Sequence, residues 1–88
     1  MSISFPNRSR SYDATRHAVR FWVNDSAMEV SFFLDAAALE QLQPGAQLDE
    51  AQLLNVFDCN RQRIYAAAAR VYGRGRRGWS YELAAVDF

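Results

Sequence analysis

The segment GRGRRGW, residues 73 to 79, carries the side chains best suited to contact an anion. Arg74, Arg76 and Arg77 lie among three glycines, and the flat ring of Trp79 follows them. Guanidinium groups beside an aromatic ring are typical of nucleic-acid contacts, and equally typical of a solvated turn between a helix and a strand. The segment lacks the GK[ST] ending of a phosphate loop. We predict at most weak, sequence-independent, salt-sensitive binding of nucleic acid here.

Residues for catalysis or metal binding are sparse. His17 and Cys59 are each the only residue of their type, so neither a nucleophile–base pair nor a metal-ligand cluster is evident. No spacing singles out two carboxylates for acid–base catalysis. We therefore predict that the protein is not an enzyme and that it uses no cofactor and no metal.

Arg61 is the charged residue with the most unusual predicted position. At about 100° per residue it falls within the apolar stripe of a long predicted helix, between Phe57 and Ile64. A buried guanidinium without a partner is costly, so we expect Arg61 to contact a carboxylate or several carbonyls, and a buried ion pair with a carboxylate outside the helix is the possibility that we single out. Two alternatives stay open: the head reaches the rim while the stem packs, or Arg61 binds an anionic ligand. The carboxylate candidates are Asp13, Glu29 and Glu82.

A β-hairpin is the strongest structural signal that positions these residues. In AVRFWVNDSAMEVSFFL, residues 18 to 34, apolar side chains alternate on both sides of a polar turn, which we predict at Asp25-Ser26. This register sets Phe21 opposite Val30 and Trp22 opposite Glu29. One face of the hairpin is predicted to enter the core. Its residues are Val19, Phe21, Val23, Val30, Phe32 and Leu34.

The second face of the hairpin is the predicted interaction surface, and it carries Arg20, Trp22 and Phe33. If helices cover only the first face, both aromatic side chains are uncovered. Aromatic side chains on a sheet resemble a platform for stacking single-stranded bases, but Glu29 and Glu82 on the same face would repel phosphates. Exposed aromatics among mixed charges are more typical of a protein interface. We therefore favour self-association or a protein partner, and keep weak nucleic-acid binding as the alternative.

Two helices are predicted after the hairpin. Asp35 can cap a short helix that QPG, residues 43 to 45, ends. Asp49 can cap a second helix, with Gln52 at the capping-box position, and this helix runs from about residue 50 to residue 72 with Gly73 as its stop. WSYELAAVDF predicts a C-terminal strand, ISF at residues 3 to 5 a first strand, and residues 7 to 17 an irregular segment.

The resulting order, β-β-β-α-α-β, predicts a single α+β domain over residues 1–88. It has two layers, an antiparallel or mixed sheet with a central hairpin and two helices packed on one face. Half of the residues are apolar, which is ample for one core. Ten arginines cancel ten acidic residues, so no global field steers the chain toward nucleic acid or anionic lipid. Without a signal-peptide pattern or a long apolar run, we predict a cytoplasmic protein with no membrane association.

The run FPN…SYDATRHAVRFW…DSAMEVSFFL…AL, followed by FDCNRQRI…AA…VY, resembles a family of small bacterial proteins known only as domain of unknown function 1488. The likeness covers nearly the whole chain. It implies a compact bacterial α+β domain and supplies no activity, cofactor or catalytic residue. The sequence thus favours a non-catalytic interaction or self-associating module. The alternative is a weak single-stranded nucleic-acid binder that uses Arg74, Arg76, Arg77 and the sheet aromatics, and a small enzyme is least favoured.

Overall fold

The computed structural model describes residues 3–43, 49–73 and 80–88, and in this part of the chain five strands form one sheet. The strands are β1 (Ile3–Ser4), β2 (Arg10–Asp13), β3 (Ala18–Asp25), β4 (Met28–Asp35) and β5 (Ser80–Leu83). The helices are α1 (Ala36–Leu42), α2 (Glu50–Cys59) and α3 (Arg61–Gly73), with a single turn of 3₁₀ helix at Ala85–Asp87. The predicted α+β fold is confirmed.

The sheet is mixed. β3 pairs antiparallel with β4 along its whole length, and its other edge pairs with β1 near the hairpin turn and with β2 at the far end. β5 lies on the other side of β4 and runs parallel to it. Because parallel neighbours need a long crossover, all three helices lie between β4 and β5 in the chain.

The hairpin turn lies one residue later than predicted. Asp25 pairs with Met28, so the turn is at residues 26 and 27, and Phe21 pairs with Phe32 instead of Val30. Ser26 adopts a left-handed backbone conformation with φ of 54°, and its carbonyl accepts a hydrogen bond of 2.8 Å from Asn24 Nδ2. Compared with the predicted register, each residue of β3 therefore pairs with a residue two positions later in β4. Since side chains alternate with a period of two, the predicted core face is unchanged and is confirmed.

The segment predicted to be irregular contains strand β2. Its sequence, RSYD, has one large apolar side chain, Tyr12, so no alternating pattern announces it. A tight turn joins β2 to β3, because Asp13 Oδ1 accepts hydrogen bonds from the backbone N–H groups of Thr15 and Arg16 at 3.0 and 3.2 Å. By its register with β3, the side chain of Arg10 lies on the helix-facing side of the sheet.

The long predicted helix is divided at Asn60, so the sheet is covered by three helices instead of two. The Asn60 side-chain amide donates to the carbonyl of Val56 at 2.8 Å, and its backbone leaves helical geometry at φ −121° and ψ 20°. Asparagine competes with the helix backbone for hydrogen bonds in this way. Asn60 therefore ends α2, and its own carbonyl accepts from Ile64 N at 3.0 Å in the first turn of α3.

The two helix starts predicted from the sequence, at Asp35 and Asp49, are confirmed. Asp35 accepts from Ala37 N at 3.1 Å, and Asp49 exchanges two hydrogen bonds with Gln52 in a capping box. The predicted apolar stripe of the second helix is buried, which confirms it, and it packs on the first face of the hairpin. The buried stripe residues are Leu53, Phe57, Ile64, Ala68 and Val71.

Candidate functional site

The second face of the sheet, here called the open face, is not covered by any described helix. Arg20, Trp22 and Phe33 lie on it, since they alternate with the core residues of β3 and β4. Ala18 and Phe33 are buried, yet they lie outside the core cluster between the sheet and the helices. The open face therefore has its own local packing.

That packing is a row of alternating arginine and aromatic side chains. The guanidinium carbon of Arg16 lies 4.2 Å from the ring centroid of Phe33. The guanidinium of Arg20 lies 5.0 Å from the Trp22 ring and 5.8 Å from the Phe33 ring. Phe33 is only 8% exposed, so the prediction that it is uncovered is wrong: Arg16, from the turn before β3, folds over it. Trp22 is half-buried.

Both signs of charge lie along this row. Arg16 is held loosely between Asp13, at 3.9 Å, and Glu82, at 3.7 Å. Arg20 donates to Ser31 Oγ at 2.9 Å, and Glu29 accepts from the Asn7 side chain at 3.0 Å. Exposed ion pairs at these distances contribute little to stability, about 0 to 1 kcal/mol. The arginines over the aromatic rings can therefore exchange their contacts for those of a partner at little cost.

A hollow of about 160 Å³ opens beside Phe33 at the end of strands β4 and β5. Its lining residues include the charged side chains of Arg16, Asp35 and Glu82 and the apolar side chains of Ala18 and Phe33. A concavity of this size accommodates one side chain rather than a cofactor. It is a suitable place for a partner's anchoring side chain.

Arg61 forms its ion pair within the same helical region. Its Nη2 lies 2.8 Å from Asp58 Oδ1 and donates to the carbonyl of Arg8 at 2.8 Å, while Nη1 donates to the Tyr65 hydroxyl at 2.6 Å. The prediction that the partner of Arg61 is Asp13, Glu29 or Glu82 was therefore wrong. The side chain of Arg61 is 13% exposed, and its guanidinium lies 5.0 Å from the Phe57 ring. The break between α2 and α3 at Asn60, here called the kink, makes Arg61 the first residue of α3, one turn beyond Asp58.

Asp58 binds a second arginine that the sequence analysis missed. Arg10 Nε donates to Asp58 Oδ1 at 3.1 Å and Nη2 to Oδ2 at 2.9 Å, a bidentate pair that joins β2 to the helix kink. Partial burial alone would raise the pKa of Asp58. The hydrogen bonds from Arg10 and Arg61 outweigh that effect, and the pKa lies below its ordinary value of 3.8. Asp58 is therefore ionised at neutral pH.

The other residues predicted from sequence belong to neither arrangement or fall outside the described part of the chain. Arg74, Arg76, Arg77 and Trp79 lie outside the described residues. Cys59 and His17 are exposed, and no three histidine, cysteine or acidic side chains of the described chain are grouped to bind a metal ion. None of the helices in the described ranges is both long and apolar enough to cross a bilayer.

Comparison with known proteins supports the fold. A family model described as "Protein of unknown function (DUF1488)" matches residues 3–83. A crystal structure of a protein of unknown function from the same family, from Shewanella loihica PV-4, superimposes with a TM-score of 0.82 at 19% identity. The match covers 93% of this chain and 91% of that one. No curated protein matches the sequence.

Proposed function

We propose that this chain, which belongs to the DUF1488 family of proteins of unknown function, is a non-catalytic self-associating module whose copies pair through the open face of the sheet. One observation carries the proposal. The row of Arg16, Phe33, Arg20 and Trp22 lies on a face that no described helix covers. Aromatic and arginine side chains are the types enriched at the centres of protein interfaces.

The charge pattern of the open face favours a second copy as the occupant. Arg16 and Arg20 share the face with Glu29 and Glu82. In a twofold pair the same patch meets itself, so the arginines of one copy can approach the carboxylates of the other. The formal net charge of zero at pH 7 adds no long-range repulsion between copies.

The dimensions of the face indicate a weak dimer. Strands β3 and β4 have eight residues each, and four strands side by side give a face of about 400 to 500 Å². Two copies would bury about 800 to 1,000 Å², at the lower limit for a specific interface. We therefore expect association at micromolar or higher concentration. The aromatic platform could also stack bases, but the carboxylates and the cover of Arg16 over Phe33 argue against that use.

Sedimentation velocity across the micromolar range tests the proposal with two charge-altered variants. The acidic-face variant carries Arg16→Glu and Arg20→Glu, and the basic-face variant carries Glu29→Arg and Glu82→Arg. Each variant alone should be monomeric because like charges meet. An equimolar mixture should associate at least as tightly as the wild type, because opposite charges then face each other.

Val86→Ser provides the matched control, since Val86 is 90% exposed and lies on the 3₁₀ helix, which contacts α1. It should leave the association of the wild type unchanged. A wild-type protein that stays monomeric at hundreds of micromolar would refute self-association (a concentration at which weak specific dimers are populated). Loss of the dimer in Val86→Ser alone would place the interface elsewhere.

A further inference from the structure

We propose a second site, for phosphate groups, at the kink between α2 and α3. Two adjoining shallow grooves, of about 470 and 430 Å³, meet there and share Arg8, Asp58 and Arg61 among their lining residues. Arg10 lines one groove and Arg63 the other. Residues 8 to 10 and 58 to 63 thus form one continuous polar surface, here called the kink groove.

The kink groove concentrates positive charge in a chain that is neutral overall. Four guanidinium groups against the single carboxylate of Asp58 leave a formal charge of +3 among its described lining residues. Charge of one sign along a concave surface raises the local concentration of the opposite ion. This positive patch is not evident from the sequence, because the chain is neutral overall and the residues of the patch come from two distant segments.

Two of the four arginines are already fixed in place. Asp58 holds Arg10 through two hydrogen bonds, and it holds Arg61 together with the Arg8 carbonyl and the Tyr65 hydroxyl. Their guanidinium groups lie side by side despite their like charge because one carboxylate binds both. A ligand that binds there does not have to order these two side chains, which reduces the entropy lost on binding.

The other two arginines are available to a ligand. Within the described part of the chain, the side chains of Arg8 and Arg63 form no hydrogen bond or ion pair, and both residues are exposed. Arg10 also keeps its Nη1 group, which donates to no atom of the described residues. The groove therefore presents unused planar donors around a fixed centre, the arrangement in which arginine binds phosphate oxygens bidentately.

The shape of the groove favours a ligand recognised by its charge. Its described lining residues are mostly polar, with Ser9, Asn60 and Gln62 beside the arginines, and they form an open groove instead of an enclosed pocket for a drug-like molecule. The recognised group is therefore the phosphate itself, either in a small phosphate such as pyrophosphate or in a polynucleotide backbone. Arg10 lies on the helix-facing side of the sheet, so the site is independent of the proposed dimer face.

The test is titration of the full chain with inorganic pyrophosphate, by calorimetry, and with a labelled single-stranded DNA oligonucleotide, by fluorescence anisotropy. The double variant Arg8→Ser, Arg63→Ser removes the two unpaired cations and should fold normally. We expect it to weaken binding about tenfold or more. Ala51→Glu with Val86→Glu is the matched control, because it lowers the net charge by the same amount at two exposed residues that line neither groove, and it should leave the affinity within about twofold.

The two ligands separate the two sources of phosphate. Binding of pyrophosphate identifies a site for small phosphates. Binding of the oligonucleotide alone identifies a backbone site, and the logarithm of its affinity should then fall with the logarithm of salt with a slope of about −2 to −3. Equal weakening by the kink variant and the control would overturn the proposal, because binding would then follow net charge alone. Failure of both ligands to bind at low salt would also overturn it.

Discussion

Tyr72 joins the end of α3 to the hairpin, and its removal gives a quantitative test of the structure. The side chain of Tyr72 is largely buried, and its partly buried hydroxyl donates a hydrogen bond of 2.5 Å to Asp25 Oδ2, at the turn end of β3. Replacing Tyr72 with Phe keeps the ring, which packs 5.3 Å from the Tyr81 ring, and deletes only the donor. The change in free energy of unfolding therefore reports mainly on this one hydrogen bond.

The magnitude follows from the perturbed ionisation of the phenol. The hydrogen bond to Asp25, then desolvation, then the nearby charges raise the pKa of Tyr72 from 10.0 to about 12. Such a difference corresponds to about 2 to 3 kcal/mol between the neutral and the ionised phenol. Part of it is desolvation and repulsion of the phenolate by Asp25, so the hydrogen bond of the neutral phenol contributes less, about 1 to 2 kcal/mol after solvent screening. Hydrogen bonds to charged groups contribute a similar amount, about 1.5 to 3 kcal/mol. We expect Tyr72→Phe to destabilise the fold by about 1 to 2 kcal/mol at pH 7.

The pH dependence has a definite sign. The pKa of Tyr72 is higher in the folded state than in the unfolded chain, so its contribution is fully present below pH 10. That contribution is lost as the pH rises through about 12, because the phenol must then ionise next to Asp25. The wild type should lose stability between pH 10 and 12 more steeply than Tyr72→Phe.

Urea unfolding followed by circular dichroism at pH 7, 10 and 11 measures both effects. Tyr12→Phe is the control, since among the described residues the Tyr12 hydroxyl has only a long contact of 3.4 Å, to His17 Nδ1. It should cost less than about 0.5 kcal/mol. Equal stability of Tyr72→Phe and wild type at pH 7, with parallel decline at high pH, would refute the hydrogen bond and the reasoning built on it.

Two further predictions concern the arginine-rich regions. Asp58→Asn should destabilise by about 1 to 2 kcal/mol at pH 7 in thermal or urea unfolding, because it leaves Arg10 and Arg61 without their shared carboxylate. The pKa of Asp58 is lowered in the folded state, so the stability difference between Asp58→Asn and wild type should persist above pH 4. It should disappear as the pH falls through the folded-state pKa. A stability difference that is unchanged at pH 2 would contradict this prediction. Changing Arg74, Arg76 and Arg77 to Ser should affect single-stranded DNA or RNA binding only slightly at physiological salt. Submicromolar affinity that this variant abolishes would instead establish residues 73 to 79 as a nucleic-acid site.

Features that depend on near neighbours in sequence were predictable. Asp35 and Asp49 cap helices through contacts two and three residues away, and alternation in β3 and β4 assigns each side chain to a face. The position of the hairpin turn was not predictable, because shifting every cross-strand partner by two residues leaves each side chain on the same face of the sheet. The pattern of residues 18 to 34 therefore cannot separate the two registers.

The missed features depend on contacts between distant segments. Strand β2 forms because it pairs with the edge of β3, and the letters RSYD carry little strand signal of their own. The break at Asn60 arises from one side-chain hydrogen bond inside an otherwise continuous helical pattern. Arg10 and Asp58 meet only because β2 packs near the kink. A helical projection placed Arg61 correctly in the apolar stripe, but it could not show a partner at the kink three residues earlier.

The parallel pairing of β4 with β5 has a consequence for how the chain folds. Phe32 stacks on Tyr81 with ring centroids 5.0 Å apart, and Leu34 pairs with Leu83, so the last strand of the sheet completes the core from across the whole helical segment. Neighbouring strands β2, β3 and β4 can pair through short turns, whereas β5 must await closure of a much longer loop. During synthesis the edge of β4 therefore stays unpaired until residues 80 to 83 leave the ribosome. In that interval the nascent chain exposes a strand edge to any other extended polypeptide nearby.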